Sequence, residues 1–328
     1  MKEVYKDIYL VEIPLRGNPL KSLNCFIIKS EDQNLIIDTG FNTEEIENAM
    51  MDTIRKLNLD IEKTSLFLTH LHADHTGLAS FLDKKGMKIY MSEVDGEILK
   101  DSIAEDGSFW SKVNEIGMMQ GLAEDKVTLE SNPGFKYQAP EVFNYTPVKA
   151  GEFLKVGRYN FEVIDLEGHT PGIVGLYEKD HKIFFCGDHI LGKITPNITF
   201  WGFEYGDILG KYLDSLDKVY KMEIDHLFSS HRFLVDDHRV RIDEIKKHHD
   251  KRLEESINVL KKHGKSSVRT VTKNLSWDIR SKSWDDFPNP QKWFAAGEAH
   301  AHLERLRALN KVDYEIKDGI IYYFLLDK

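Results

Sequence analysis

The sequence predicts an α+β protein in two parts: a body of residues 1–237 that mixes strands and helices, and a small module of residues 238–328. Three observations carry this expectation. Over residues 1–92, short apolar runs of strand length alternate with helical patterns, so sheet and helix are interleaved from the start. Further apolar runs, ending near residues 164, 187 and 230, each lead into a loop that carries His or Asp. The C-terminal stretch reads instead as helix, helix, helix, hairpin. At 328 residues the chain also exceeds the ~250 to 300 residues at which a single core stops growing.

Residues 7–13, 23–28 and 34–37 read as consecutive strands, each bounded by polar residues or by Gly and Pro. Residues 43–57 follow as a helix. Thr43 opens it, and Glu44 and Glu45 sit in its first turn, where unpaired N–H groups favour negative charge. Residues 64–68 are bulky enough for a buried strand, 78–82 start a helix, and 88–91 form the next strand. Leu209, Leu213, Leu216 and Tyr220 recur every three or four residues, so residues 207–222 predict a helix with one apolar face. In the C-terminal module, residues 238–263 predict one long charged helix stopped at Gly264, with Lys261, Lys262 and His263 in its last turn. Two shorter helices are expected over 267–274 and 290–310. Lys317-Asp318-Gly319, between apolar β-rich runs within 312–326, predicts a hairpin.

Thr69-His70-Leu71-His72-Ala73-Asp74-His75-Thr76-Gly77 lies between a strand and a helix, hence in a loop. A core would have to satisfy each of these polar groups, and a surface has no need of them at this density. Neutral imidazole and ionised carboxylate are ligands that borderline-soft divalent ions accept. His70 and His72 can turn to one side while Asp74 and His75 serve a second ion beside the first. Here the chain resembles the metallo-β-lactamase superfamily of binuclear metallohydrolases, whose signature is this hexad followed by a distant His, a bridging Asp and a last His. Gly168-His169-Thr170-Pro171-Gly172 is similar to the third-ligand motif. The run Lys182-Ile183-Phe184-Phe185-Cys186-Gly187-Asp188 ends where the resemblance puts the bridging carboxylate, and Asp225-His226-Leu227-Phe228-Ser229-Ser230-His231 ends where it puts the last His.

The resemblance covers roughly residues 5 to 235. It implies an αββα sandwich in which His70, His72, Asp74, His75, His169, Asp188 and His231 hold two divalent ions, zinc first, with iron or manganese as replacements. It also implies a bridging hydroxide that Asp74 and Asp188 orient and whose proton they handle. Asp38 falls where the family carries a supporting carboxylate, although a turn-forming Asp explains Asp38-Thr39-Gly40 as well. His189 adjoins Asp188, and neighbours in extended chain point apart, so it is expected to support the site or line its pocket rather than to be a ligand. The gap between His75 and His169 is long for the family, so residues of about 95–150 are read as an insertion near the site. Its Phe109, Trp110, Met118, Met119, Phe135, Tyr137, Phe143 and Tyr145 either wall a pocket or pack the insertion onto the body. The loop that ends at Trp201 is expected to border the site. The C-terminal order resembles the winged-helix module that accompanies some proteins of this fold, including a ribonuclease-like branch. His300 and His302, two apart on one helix, do not share a face and are poor ligands together.

Net charge is −10, unevenly shared. Residues 238–328 hold 19 Lys+Arg against 14 Asp+Glu, which leaves 25 against 40 in the body. An acidic body repels phosphate backbones and disfavours nucleic acid as the main partner, while the basic module keeps that question open. The N-terminal residues are charged, with no apolar core of a signal peptide, and no window of eighteen apolar residues occurs. A cytoplasmic protein without a membrane partner is expected. Cys25 and Cys186 both sit in apolar runs, which fits core packing and a reducing compartment. A flavin or nicotinamide fingerprint is missing, and His72 is not the Glu of the flavodiiron oxygen reductases, so redox chemistry is disfavoured. The expected function is a metal-dependent hydrolase of a small-molecule ester, thioester or lactone, with a homodimer as the assembly to test. The alternatives are a ribonuclease or phosphodiesterase that grips nucleic acid with the winged helix, and a non-enzymatic winged-helix binding protein. The complete ligand set speaks against the last.

Overall fold

A computed structural model describes residues 1–279 and 281–327. The first sheet holds seven strands in chain order: β1 (Lys2–Tyr5), β2 (Ile8–Leu15), β3 (Lys21–Ile28), β4 (Asn34–Ile37), β5 (Thr64–Phe67), β6 (Lys88–Ser92) and β7 (Thr146–Val148). Strands β1 to β4 pair antiparallel. Strands β4 to β7 pair parallel, because helices cross between them. These helices are α1 (Glu44–Lys56), α2 (Ala73–Thr76), α3 (Ala79–Lys84), α4 (Glu93–Ile103), α5 (Ser108–Gln120) and α6 (Pro133–Tyr137). The second sheet has the order β12-β11-β10-β9-β8, from β8 (Phe153–Val156), β9 (Tyr159–Asp165), β10 (Val174–Glu178), β11 (Ile183–Gly187) and β12 (His226–Ser229). Strands β11 and β12 are parallel and are joined through α7 (Ile208–Tyr220).

Side-chain alternation along the strands sorts the layers. Phe26, Ile28, Leu35, Ile37 and Phe67 of the first sheet face Phe161, Val163, Phe185 and Phe228 of the second. Their neighbours Cys25, Ile27, Ile36, Leu66 and Leu68 turn the other way, onto Ile46, Met50 and Ile54 of α1 and Leu82 of α3. On the far side of the second sheet Phe184, Cys186 and Leu227 meet Leu209, Tyr212 and Leu216 of α7, together with Ile242 and Ile245 of α8 (His238–His263). The layers are therefore helix, sheet, sheet, helix. Both cysteines are free and buried, as core packing requires.

Helix α8 is long enough to serve two cores. Beyond its contact with the second sheet, Val259 and Leu260 join Val268 and Val271 of α9 (Val268–Lys273), and Ala299 and Leu303 of α10 (Asn289–Ala308). Val312 of β14 (Val312–Lys317) and Ile321 and Tyr323 of β15 (Ile320–Leu325) complete this cluster. The hairpin turn follows the sequence signal, since Asp318 (φ 52°) and Gly319 (φ 77°) both take the left-handed conformation of a tight two-residue loop. A two-residue strand that was not expected, β13 (Ser266–Ser267), pairs with β15 and makes the hairpin part of a three-stranded sheet. Strands β1, β7, β8 and β10 also escaped the sequence reading, and β10 has a visible cause. Gly175 interrupts its apolar run, and a Cβ there would come within 2.7 Å of the Phe185 carbonyl on the neighbouring strand.

Residues 95–150 pack in two directions: Ile98, Leu99, Ala139 and Phe143 join the core under the first sheet, and others reach residues 238–328. Leu122 and Val127 share a core with Trp284, Phe287, Trp293 and Ala296, and Met119 packs on the cluster around α10. Among the described residues, no helix is long and apolar enough to cross a membrane.

Candidate metal centre

Strands β4, β5, β9, β11 and β12 all end at one edge of the sandwich, and the loops beyond them supply the site. The sheets are tied together there. Asn24 N–H donates to the Ser230 carbonyl at 2.7 Å, and Val174 N–H donates to the Thr69 carbonyl at 2.9 Å. Two glycines let the loops close in. Gly168 (φ 149°) precedes His169, and a Cβ there would lie 2.4 Å from Cβ of Tyr212. Gly187 (φ 56°) precedes Asp188, and a Cβ there would lie 2.9 Å from Oγ1 of Thr69.

All seven expected ligand residues converge. His70, His72 and His169 form one group and Asp74, His75 and His231 another; within each, the donor atoms lie within 4.8 Å of one another. Asp188 stands between them. Its Oδ1 lies 3.7 Å from Nε2 of His75 and 3.4 Å from Nε2 of His231, while its Oδ2 lies 3.6 Å from Nε2 of His169. Nε2 of His70 and Nδ1 of His72 are 3.1 Å apart, and Asp74 Oδ2 is 3.3 Å from Nε2 of His231. These are lengths expected for the edges of a coordination polyhedron, because a tetrahedral ion with bonds of about 2.0 to 2.1 Å separates its ligands by about 3.3 Å.

The far side of each ring explains its orientation. Nδ1 of His75 donates to Asp38 at 2.8 Å, Nδ1 of His169 to the Asn197 carbonyl at 2.9 Å, and Nδ1 of His231 to the Ser22 carbonyl at 2.8 Å. With Nδ1 donating outward, each Nε2 is turned to the centre, where its lone pair is available to an ion once the ring is neutral. Those three Nε2 atoms, and Oδ1 of Asp188, are buried without a hydrogen-bond partner. Buried polar atoms left in this way are costly unless an ion takes them up, so the residues fit divalent metal.

The electrostatics divide the centre. Burial and the neighbouring imidazoles hold His70 well below its usual value, burial and His169 bring His72 to about 3, and burial lowers His169. That group is neutral and ready to coordinate. In the other group burial works against charge, yet Asp38, Asp74 and Asp188 raise His75, and Asp188 and Asp74 raise His231 well above the ordinary imidazole range. The same pairs hold Asp74 and Asp188 below the usual carboxylate range although burial opposes it.

The family described as the metallo-beta-lactamase superfamily matches residues 19–231, more than half of the chain and every residue of the cluster. This chain belongs to the metallo-β-lactamase superfamily. Among its relatives, hydroxyacylglutathione hydrolase GloC of Haemophilus influenzae is 29% identical over 171 residues, 50% of this chain and 65% of that protein. Acyl-coenzyme A thioesterase MBLAC2 of Bos taurus is 22% identical over 174 residues, 50% of this chain and 57% of that protein. The match thus spans less than two thirds of either relative. The crystal structure of a metallo-beta-lactamase family protein from Thermus thermophilus has the same fold, with TM-score 0.82 and 24% identity, over 98% of this chain and 100% of that one.

Other residues of this superfamily member fall in varied places. Asp38 (φ 62°) does more than turn the chain: it accepts hydrogen bonds from Thr69 N–H, Thr69 Oγ1 and His75. Trp201 lies nearly parallel to the His72 ring at 6.0 Å, and its indole N–H donates to the His169 carbonyl. His72 is the partly exposed imidazole, so the site opens on that side. Trp110 has its indole N–H on the Ser102 carbonyl and its ring against Phe109 and Phe135, the latter on α6. His189 is buried behind the site, edge-on to Tyr212, and burial brings it to about 3. His300 and His302 point apart as their spacing predicts, His300 to Gln120 and Tyr323 and His302 to His249.

Sequence reasoning missed Asp95. Its carboxylate, fully buried on α4, accepts from Leu71 N–H in the metal loop, and from Thr170 Oγ1 and Gly172 N–H in the His169 loop, at 3.0, 2.6 and 2.6 Å. Burial outweighs those three donors and pushes the carboxyl up to about 7. The available signal, Ser92-Glu93-Val94-Asp95, reads as a helix start, and Ser92 does cap α4 by accepting from Asp95 N–H.

Proposed function

We propose that this chain is a hydrolase of small carboxylic thioesters, with esters and lactones as related substrates, and that it works with two divalent ions, zinc first. The observation that carries the reading is the pair of donor groups with Asp188 between them. His70, His72 and His169 would hold one ion, Asp74, His75 and His231 the other, and Asp188 both. When bound, the ions polarise the scissile carbonyl and lower the pKa of water, so no Ser or Cys nucleophile is needed.

The chain's own residues do the rest. Asp38, Asn197 and Ser22 hold three imidazoles in one tautomer. Asp74 stays ionised and keeps 8% of its surface exposed, which suits it to orient an incoming water and accept its proton. Trp201 offers an apolar face beside His72 to the part of the substrate away from the reacting carbonyl. The activities named for the two relatives, hydroxyacylglutathione hydrolase and acyl-coenzyme A thioesterase, support the substrate class.

We read residues 238–328 as a winged-helix-like unit that serves packing rather than nucleic acid. The helix such a unit would lay in a groove, α10, has thirteen of its twenty residues buried against the rest of the chain. A cytoplasmic location belongs to the same proposal. A hydrolysis screen of metal-loaded protein against thioester, lactone, β-lactam, phosphodiester and RNA substrates tests the reading. Turnover of thioesters, lost in Asp188→Ala, is expected; cleavage confined to RNA or phosphodiesters would contradict it.

A further inference from the structure

The loop between β11 and α7 crosses from the metal centre to the C-terminal module, and residues 197–201 touch both. On the inner side, the Asn197 carbonyl accepts from Nδ1 of His169 at 2.9 Å, and the Trp201 indole N–H reaches the His169 carbonyl at 3.3 Å. On the outer side, α10 holds the same segment. Nδ2 of Asn197 donates to the Phe294 carbonyl and to the Glu298 carboxylate, both at 3.2 Å. Phe200 N–H donates to the Gly297 carbonyl at 3.0 Å, and the Phe200 ring stacks on His300 at 3.7 Å. Thr199 lies so close that a Cβ on Gly297 would fall 1.9 Å from its Oγ1. Glu298 is fixed in turn from α8, by Arg252 at 3.3 Å and His248 at 3.6 Å.

The other anchored imidazoles depend on the body alone. His75 takes its acceptor from Asp38 at the end of β4, and His231 from Ser22 in β3. His169 takes its acceptor from a backbone carbonyl whose place is set by a side chain bound to α10.

We infer that the C-terminal module sets one half of the metal centre, with Asn197 and Glu298 as positioning residues that hold the His169 imidazole with Nδ1 protonated and Nε2 turned toward His70 and His72. Its consequence for metal rests on the two-ion reading above; its geometry does not. Without the anchor, the Asn197 carbonyl moves off Nδ1 and the ring is free to change tautomer and direction. The group of His70, His72 and His169 then loses its third donor, while Asp74, His75 and His231 keep theirs.

The test uses the full chain with Asn197→Ala, Asn197→Asp, Gly297→Ala, and Gly297→Ala combined with Thr199→Ala. Imidazole ¹⁵N spectra of the metal-free protein report the His169 Nδ1–H, and zinc titration against a competing chelator reports the two affinities. Wild type is expected to show a slowly exchanging His169 Nδ1–H and two zinc equivalents. In the three variants that disturb the anchor, that proton exchanges faster and one zinc equivalent weakens by about 10- to 100-fold, the range for partners that orient a ligand, while the other is unchanged. Asn197→Asp sets a carboxylate against Glu298 and is expected to exceed Asn197→Ala. Thr199→Ala, which removes the clashing Oγ1, is expected to restore the Gly297→Ala protein. A purely structural role for the contact would lower the melting temperature without moving the His169 resonance. That result, or equal weakening of both zinc equivalents, would overturn the inference. Asn197 is partly exposed, so its variants carry the test if Gly297→Ala does not fold. Wild type that binds fewer than two zinc ions would contradict the two-ion reading, and the His169 proton would then decide this inference by itself.

Discussion

Asp38 occupies a backbone conformation that L residues rarely adopt, with φ 62°, and from there its carboxylate reaches Thr69 and His75 together. Asp38→Asn keeps the shape but replaces one acceptor oxygen by a donor. It is expected to weaken the ion held by His75 by about 10- to 100-fold and to spare the other, as read by metal titration; equal loss of both would contradict the assignment. The metal-free protein should also respond to pH. Although burial opposes it, nearby carboxylates raise His75 and His231 above the ordinary 6.5, so their contribution to stability is complete below pH 6.5 and is lost as pH rises through the raised folded values. The unfolding midpoint of metal-free protein should therefore fall across that range, and metal loading at neutral pH should release protons. Calorimetry in buffers of different ionisation enthalpy counts those protons, and a count of zero would contradict the protonated state. The imidazoles and carboxylates themselves were legible in the sequence, since each follows an apolar strand. Their anchors were not: Ser22 and Asn197 act on the rings through backbone carbonyls, which carry no residue signature, and Asp95 is masked by its place in a helix start.

At the scale of elements, the two tryptophans weighed as pocket residues have different surroundings. Trp201 faces His72, whereas Trp110 is bound to Ser102, Phe109 and Phe135 within the insertion. Trp201→Ala is expected to raise KM more than it lowers kcat, the mark of lost uniform binding, and Trp110→Ala to lower stability with little change in KM. Steady-state kinetics beside melting curves separate the two; unchanged kinetics in Trp201→Ala would move the pocket elsewhere. Of the strands that bear the site, β4, β5, β11 and β12 are buried almost throughout and show as short, largely apolar runs, whereas β9 shows by alternation, with Tyr159, Phe161 and Val163 turned inward. Strand β10 was lost to Gly175, and β13 is only two residues long, too short for any period to show.

At the scale of the whole molecule, the sequence shows nothing of the contacts between residues 1–237 and residues 238–328. Helix α8 contributes Ile242 and Ile245 to one core and Val259 and Leu260 to another, and α10 presses on the loop behind His169. Local patterns carry no trace of such long-range contacts. With α10 committed inward, gel-shift titration at moderate salt should show no binding tighter than the weak non-specific range of ~10⁻⁴ to 10⁻⁶ M, and a tight, sequence-selective complex would promote the nuclease alternative. The central claim, two ions bridged by Asp188, is tested most directly by elemental analysis of metal-replete protein. Close to two ions per chain are expected in wild type, with both weakened in Asp188→Ala because Oδ1 and Oδ2 face different donor groups; at most one ion in wild type would contradict the claim.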